Sequence, residues 1–157
     1  MKTNTKKTFA LMALATLVVG VTGSPAAPGT ATRDPDLSSP EATVISFTKA
    51  AARGEVDRAQ ACFLPGGVDY KDIRKVLEAK PGTRSFEMRQ MLESLDLKAP
   101  MPIVSKSESQ YGTKVVWRVT FKKEFKPSKG PAFKPGATYD LDATLKKSGQ
   151  VWLIDNF

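Results

Sequence analysis

The residues best placed to do chemistry are cations set among aromatic rings. Between Lys98 and Lys134 stand nine basic residues (Lys98, Lys106, Lys114, Arg118, Lys122, Lys123, Lys126, Lys129 and Lys134) against two acids, Glu108 and Glu124. Phe121, Phe125 and Phe133 are interleaved with them. Ammonium groups attract phosphates and other anions, and ring faces offer stacking surfaces. Lys122, Lys123, Lys126, Lys129 and Lys134 are therefore the anion-binding candidates. Their expected target is an acidic envelope polymer or an anionic lipid surface, not nucleic acid. The plainer reading of the same lysines is a solvated hairpin kept soluble and unpaired by its charge.

Other chemistries are limited by what the chain lacks. It has no histidine, which removes the usual proton shuttle and the commonest metal ligand, so neither a Ser-His-Asp triad nor a zinc site is expected. No cofactor is expected either. The single cysteine, Cys62, cannot form an internal disulfide, and its place between Ala61 and Phe63 in a helical stretch reads as a small core residue. Met88, Met91 and Met101 with Phe86 could furnish an adaptable apolar pocket, although Met88 and Met91 also sit at helical core spacing.

The elements that must position these groups are legible from periodicity. Val115, Trp117, Val119 and Phe121 alternate with Lys114, Arg118, Thr120 and Lys122, and Tyr139, Leu141, Ala143 and Leu145 alternate with Asp140, Asp142, Thr144 and Lys146. A period of two predicts strands. Lys147 to Gln150 makes a turn, and Val151 to Phe157 returns as the last strand. A weaker edge strand precedes them over Ile103 to Gln110, with Lys106 and Glu108 expected outward. The stretch from Lys126 to Gly136, with three prolines and two glycines, is a long hairpin loop. Upstream, Ser39-Pro40-Glu41 opens a helix ending before Gly54. A second runs from about Val56 to Phe63, a third is capped by Asp69, and a fourth is capped by Ser85 with Met88, Met91, Leu92 and Leu95 at i, i+3, i+4 and i+7. The fold class is α+β: N-terminal helices packed in a curved four-stranded antiparallel meander.

In the last strand Val151, Leu153, Asp155 and Phe157 face one way and Trp152 and Ile154 the other, so both faces are apolar. That predicts either a strand buried on both sides or a homodimer formed through the outer sheet face.

The chain has 157 residues, 41% of them hydrophobic and 25% charged, a balance that argues against wholesale disorder. Residues 1–26 carry three lysines, a 13-residue apolar run from Phe9 to Val21, and small residues before a cut after Ala26 or Gly23. This is the layout of a secretory signal peptide, too short for a membrane span of about 20 residues. Its loss takes Lys2, Lys6 and Lys7 and brings the formal charge from +8 to +5. Residues 27–38 are a flexible leader, and 39–157 are one domain, periplasmic or extracellular after cleavage.

Helices followed by a meander that ends in Gly149-Gln150-Val151-Trp152-Leu153-Ile154 resemble the nuclear transport factor two-like superfamily, and more narrowly its small exported bacterial members. Pro40-Glu41, the Ala51 to Glu55 helix end and the Ala59, Cys62, Phe63 patch carry the same resemblance. It implies a cone with an apolar pocket, for which Trp117, Tyr139, Leu141, Leu153 and Asp155 are the lining candidates. Enzymatic relatives such as ketosteroid isomerase place a carboxylate base and a Tyr or protonated Asp donor in that pocket. Here the corresponding candidates are Asp140, Asp142, Tyr139 and Tyr70. Asp140 and Asp142 alternate away from the apolar face, where Arg118 and Lys122 could pair with them, and Asp155 has no donor assigned opposite it. The expected function is thus a non-catalytic exported domain binding a small ligand or an envelope component. The alternatives are a metal-free isomerase or hydrolase and a module binding anionic polymer through the basic hairpin.

Overall fold

The computed structural model describes residues 34–157. The expected signal peptide and the first part of the leader lie outside them. The described unit contains α1 (Pro40–Ala52), α2 (Val56–Ala61), α3 (Tyr70–Leu77) and α4 (Arg84–Glu93), followed by β1 (Ile103–Ser109), β2 (Gly112–Thr120), β3 (Thr138–Ser148) and β4 (Val151–Asn156). The strands form an antiparallel meander in the order β1-β2-β3-β4. The α+β class with helices preceding the sheet is as the sequence predicts, and the sheet is open.

Local chemistry sets the helix ends. Ser39 caps α1, its Oγ accepting from the Ala42 N–H at 3.1 Å, and Pro40 occupies the first turn, where its missing N–H costs nothing. Asp69 stands at the α3 N-cap but makes no capping bond; its Oδ2 instead accepts the Phe157 N–H at 2.7 Å, tying the last residue to α3. The fourth helix begins at Arg84 after Thr83, two residues earlier than a cap at Ser85 would dictate.

The alternation of β2 is realised strictly. Val115, Trp117, Val119 and Phe121 are buried while Lys114 and Arg118 are exposed. Each such side chain removed from water contributes about 1.5–3 kcal/mol before entropy is set against it. Against them α1 lays Phe47, which meets Phe63 edge-on at 5.2 Å and Phe157 at 4.8 Å. Phe157 in turn stacks on Trp117 at 6.1 Å. The Trp117 Nε1–H donates to Thr48 Oγ1 at 3.1 Å, so the one polar atom of that ring is satisfied inside the core.

Two irregularities re-aim side chains. A register shift between Ile103 and Ser105 sets Lys106 opposite the buried Val115, so Lys106 faces the helices and not the solvent side, and its Nζ lies 2.9 Å from Glu41 of α1. A second shift between Thr144 and Leu145 pairs Leu145 with Ile154 and Lys146 with Leu153. Ile154 therefore joins the core and Leu153 lies on the opposite face, the reverse of what unbroken alternation from Phe157 predicts. The far edge of β4 is occupied as well: the Leu64 N–H donates to the Ile154 carbonyl and the Ile154 N–H to the Cys62 carbonyl, both at 2.8 Å. The Trp152 N–H reaches the Leu37 carbonyl at 2.9 Å, so the end of the expected leader is bound to the sheet.

Candidate groove between the fourth helix and the long hairpin

The β2–β3 connection is a long loop, as its prolines predict, but it has its own framework. Phe125 and Phe133 exchange backbone hydrogen bonds at 2.9 and 2.8 Å, closing a small hairpin over 126–132. The rings of Phe121, Phe125 and Phe133 stack within 25° of parallel, with centroids 5.0 to 6.1 Å apart. Phe121 and Phe125 are buried and Phe133 is half-buried, so the three rings make a compact cluster at the edge of the core. Tyr139, paired with Val119 in the β2–β3 register, meets Phe133 edge-on at 5.6 Å and is 43% exposed.

Facing this stack is α4. Met88 and Met91 project from it, Met91 nearly buried and Met88 38% exposed; Met88 is thus not the core residue that helical spacing suggests. Together with Pro127, Pro131, Phe125, Phe133 and Tyr139 they line a groove of about 750 Å³. That volume falls in the range of small-molecule clefts. Arg84 and Lys129 stand on its rim, as does Glu87.

Glu87 is already engaged. Its Oε1 accepts the Ser128 N–H at 3.0 Å and its Oε2 the Ser128 hydroxyl at 2.7 Å. These bonds favour the ionised form and hold the carboxyl below its ordinary range. The clasp fastens the hairpin tip to α4, and the Arg84 guanidinium adds to the lowering, so two cations, Arg84 and Lys129, line the groove beside one ionised carboxylate.

Of the five residues expected to line a cone pocket, Trp117 and Leu141 are cross-strand partners, and the five do not converge on one cavity among the described residues. Trp117 and Leu141 are buried in the core beneath Phe47 and Phe157. Leu153 lies on the other side of the sheet with Lys146, and Asp155 is ion-paired with Lys146 at 2.8 Å beside Gly67. Only Tyr139 reaches the groove. Asp140 and Asp142 point outward as the alternation requires: Asp140 accepts two bonds from Arg118, at 2.6 and 2.9 Å, which lower its pKa, and Asp142 pairs with Lys114 at 3.0 Å. Tyr70 is half-buried against the core. The candidate base and donor residues are therefore dispersed, and the outer sheet face carries cross-strand ion pairs.

The anion-binding lysines 122, 123, 126, 129 and 134 are all exposed, and only Lys129 lines the groove. Met101 and Phe86 are half-buried and do not line it. Cys62 is wholly buried, and burial pushes its thiol up to about 12, which suits a packing role. A second cavity, of about 680 Å³, sets Lys49, Arg53 and Arg58 beside Asp34, Asp36 and Glu55; Glu55 bonds Arg58 at 2.7 Å, so its charges are balanced internally.

No family model matches the chain, and no curated protein does. Among solved structures it is similar to a SEC-C motif containing protein from Rhodopseudomonas palustris, determined in solution: 18% identity, TM-score 0.43, covering 76% of this chain and 77% of that one. The resemblance to the nuclear transport factor two-like superfamily is thereby corrected. No model of that family matches, and the solved structure found carries a different description. The reason lies in the motifs themselves. Pro40-Glu41 is helix-start chemistry after Ser39, and Gly149 is a hairpin glycine at φ +62°, so both are what any helix or two-residue turn asks for.

Proposed function

We propose that this is an exported binding domain whose α4–hairpin groove takes a small amphipathic anion. The observation that carries the reading is an apolar slot, walled by Met88 and Met91 on one side and Phe125 and Phe133 on the other, lined by two cations, Arg84 and Lys129, against one carboxylate, Glu87, whose oxygens already accept from Ser128. Apolar walls supply affinity in proportion to buried area, and the cations select the sign of the ligand's head group. The basic head and apolar run of residues 1–26 support export. Calorimetric titration with decanoate and with decyltrimethylammonium tests the reading. Decanoate binds saturably, the cation does not, and the Arg84→Gln/Lys129→Gln double variant loses most of the decanoate affinity. Absence of decanoate binding by folded protein removes the proposal.

A second reading rests on a separate observation. Lys122, Lys123, Lys126 and Lys134 are exposed and make no ion pair among the described residues, which favours contact with an anionic polymer through the hairpin. Retention on an anionic matrix that falls steeply with salt, and falls further when Lys122, Lys123, Lys126 and Lys129 become Gln, supports it; retention unchanged by those substitutions rules it out.

A further inference from the structure

We infer that the groove selects a planar aromatic anion, with Phe133, Tyr139 and Met88 as the residues that set this preference. The inference rests on the reading of the groove as a ligand site and adds the chemical class of the ligand.

The argument starts from how the ring wall is built. Phe121 is anchored in the core, and Phe125 and Phe133 gather with it in a triangular cluster of near-parallel rings, at interplanar angles of 9° to 25°, and Phe125 and Phe133 line the groove. The reciprocal backbone bonds between Phe125 and Phe133 fix the two rings on a paired framework, so this wall is preorganised and a guest gives up little to use it. Tyr139 stands at 81° to Phe133, offering a second ring to a guest in the slot. An aromatic guest gains from such rings by offset-stacked or edge-to-face contact beyond the area it buries. The opposite wall is two thioethers, groups that contact aromatic rings favourably, often at the ring edge. Neither wall has a comparable preference for an alkyl chain, which gains only from area. The cations Arg84 and Lys129 at the rim then favour a carboxylate or sulfonate on the ring system.

A matched pair of ligands isolates aromaticity from size and charge. Naphthalene-2-carboxylate and its fully saturated decahydro analogue carry the same head group on a bicyclic body of similar bulk. Stacking and thioether contacts together make the aromatic acid about tenfold tighter by calorimetry. Phe133→Leu and the more exposed Tyr139→Leu each reduce that ratio toward one while binding of the saturated acid is retained. Tyr139→Leu removes a ring 43% exposed, so it tests the claim should the Phe133 variant fold poorly. Equal affinity of the two acids overturns the inference while leaving an amphipathic-anion site in place. Failure of both acids and of decanoate to bind overturns the reading of the groove along with it.

Discussion

Replacing Thr48 by Val tests how the core accommodates its largest ring. Trp117 is wholly buried, and the only bond its Nε1–H makes in the core is to Thr48 Oγ1, at 3.1 Å. The Thr48 hydroxyl donates in turn to the Val44 carbonyl at 2.7 Å, so its lone pair is aimed at the indole. Valine keeps the volume and removes the acceptor, leaving a buried N–H without a partner. That omission costs about 1–3 kcal/mol, which for a domain of this size lowers Tm by roughly 3–12 °C. Thr48→Ser keeps the acceptor and gives up one methyl, about 0.8 kcal/mol of burial. Thermal unfolding followed by circular dichroism should therefore rank Val below Ser, and the Trp117 indole proton should move upfield in Val alone. A Val variant as stable as wild type, or more stable than Ser, would show that the indole does not depend on Thr48.

Other expectations follow from single contacts. Gly112 has φ +135°, and a Cβ there would lie 2.4 Å from the Leu145 carbonyl oxygen; Gly112→Ala should cost at least about 3 kcal/mol in denaturant unfolding or prevent folding. Cys62, with its thiol raised to about 12 by burial, should resist iodoacetamide at pH 8 in the folded protein and react fully in denaturant. Glu87 is held below its ordinary range by the Ser128 hydroxyl and N–H, so the clasp is complete at neutral pH and is lost as pH falls through the folded-state value. Amide exchange at Ser128, corrected for its intrinsic rate, should show less protection in acid. Glu87→Gln should show the reduced protection already at pH 7 and little further change on acidification. Removing Arg118 should change Tm little, because its pair with Asp140 is exposed; a large drop would mean that the outer face contributes more than ion pairs at a wet surface do.

The strands and helices were legible because β2 and β3 carry uninterrupted period-two patterns and each helix has a recognisable start or stop. What escaped was set by single-residue irregularities. The shift at Thr144/Leu145 moved Ile154 inward and Leu153 outward, and alternation counted from the C-terminus gave no sign of it. Likewise Lys106 looked like an edge residue until the β1 shift turned it toward Glu41. The groove was half visible. Its methionines, its phenylalanines and Lys129 each stood out in the sequence, but their meeting depends on the long loop folding back to α4, and Glu87 bonding Ser128 across 41 residues has no local signature. Conversely, Trp117 and Leu141 looked like pocket walls because an apolar face reads the same whether it lines a hollow or is packed shut, and here Phe47 and Phe157 fill the space over Trp117.

Methionine methyl signals report on the groove most directly. With Met88 and Met91 assigned through their Leu variants, titration of the full domain with naphthalene-2-carboxylate should shift both methyls saturably and together, while Met101, away from the groove, stays still. Methyls of Met88 and Met91 that do not move at millimolar ligand, or that move no more than Met101, would contradict the assignment of this groove as the binding site.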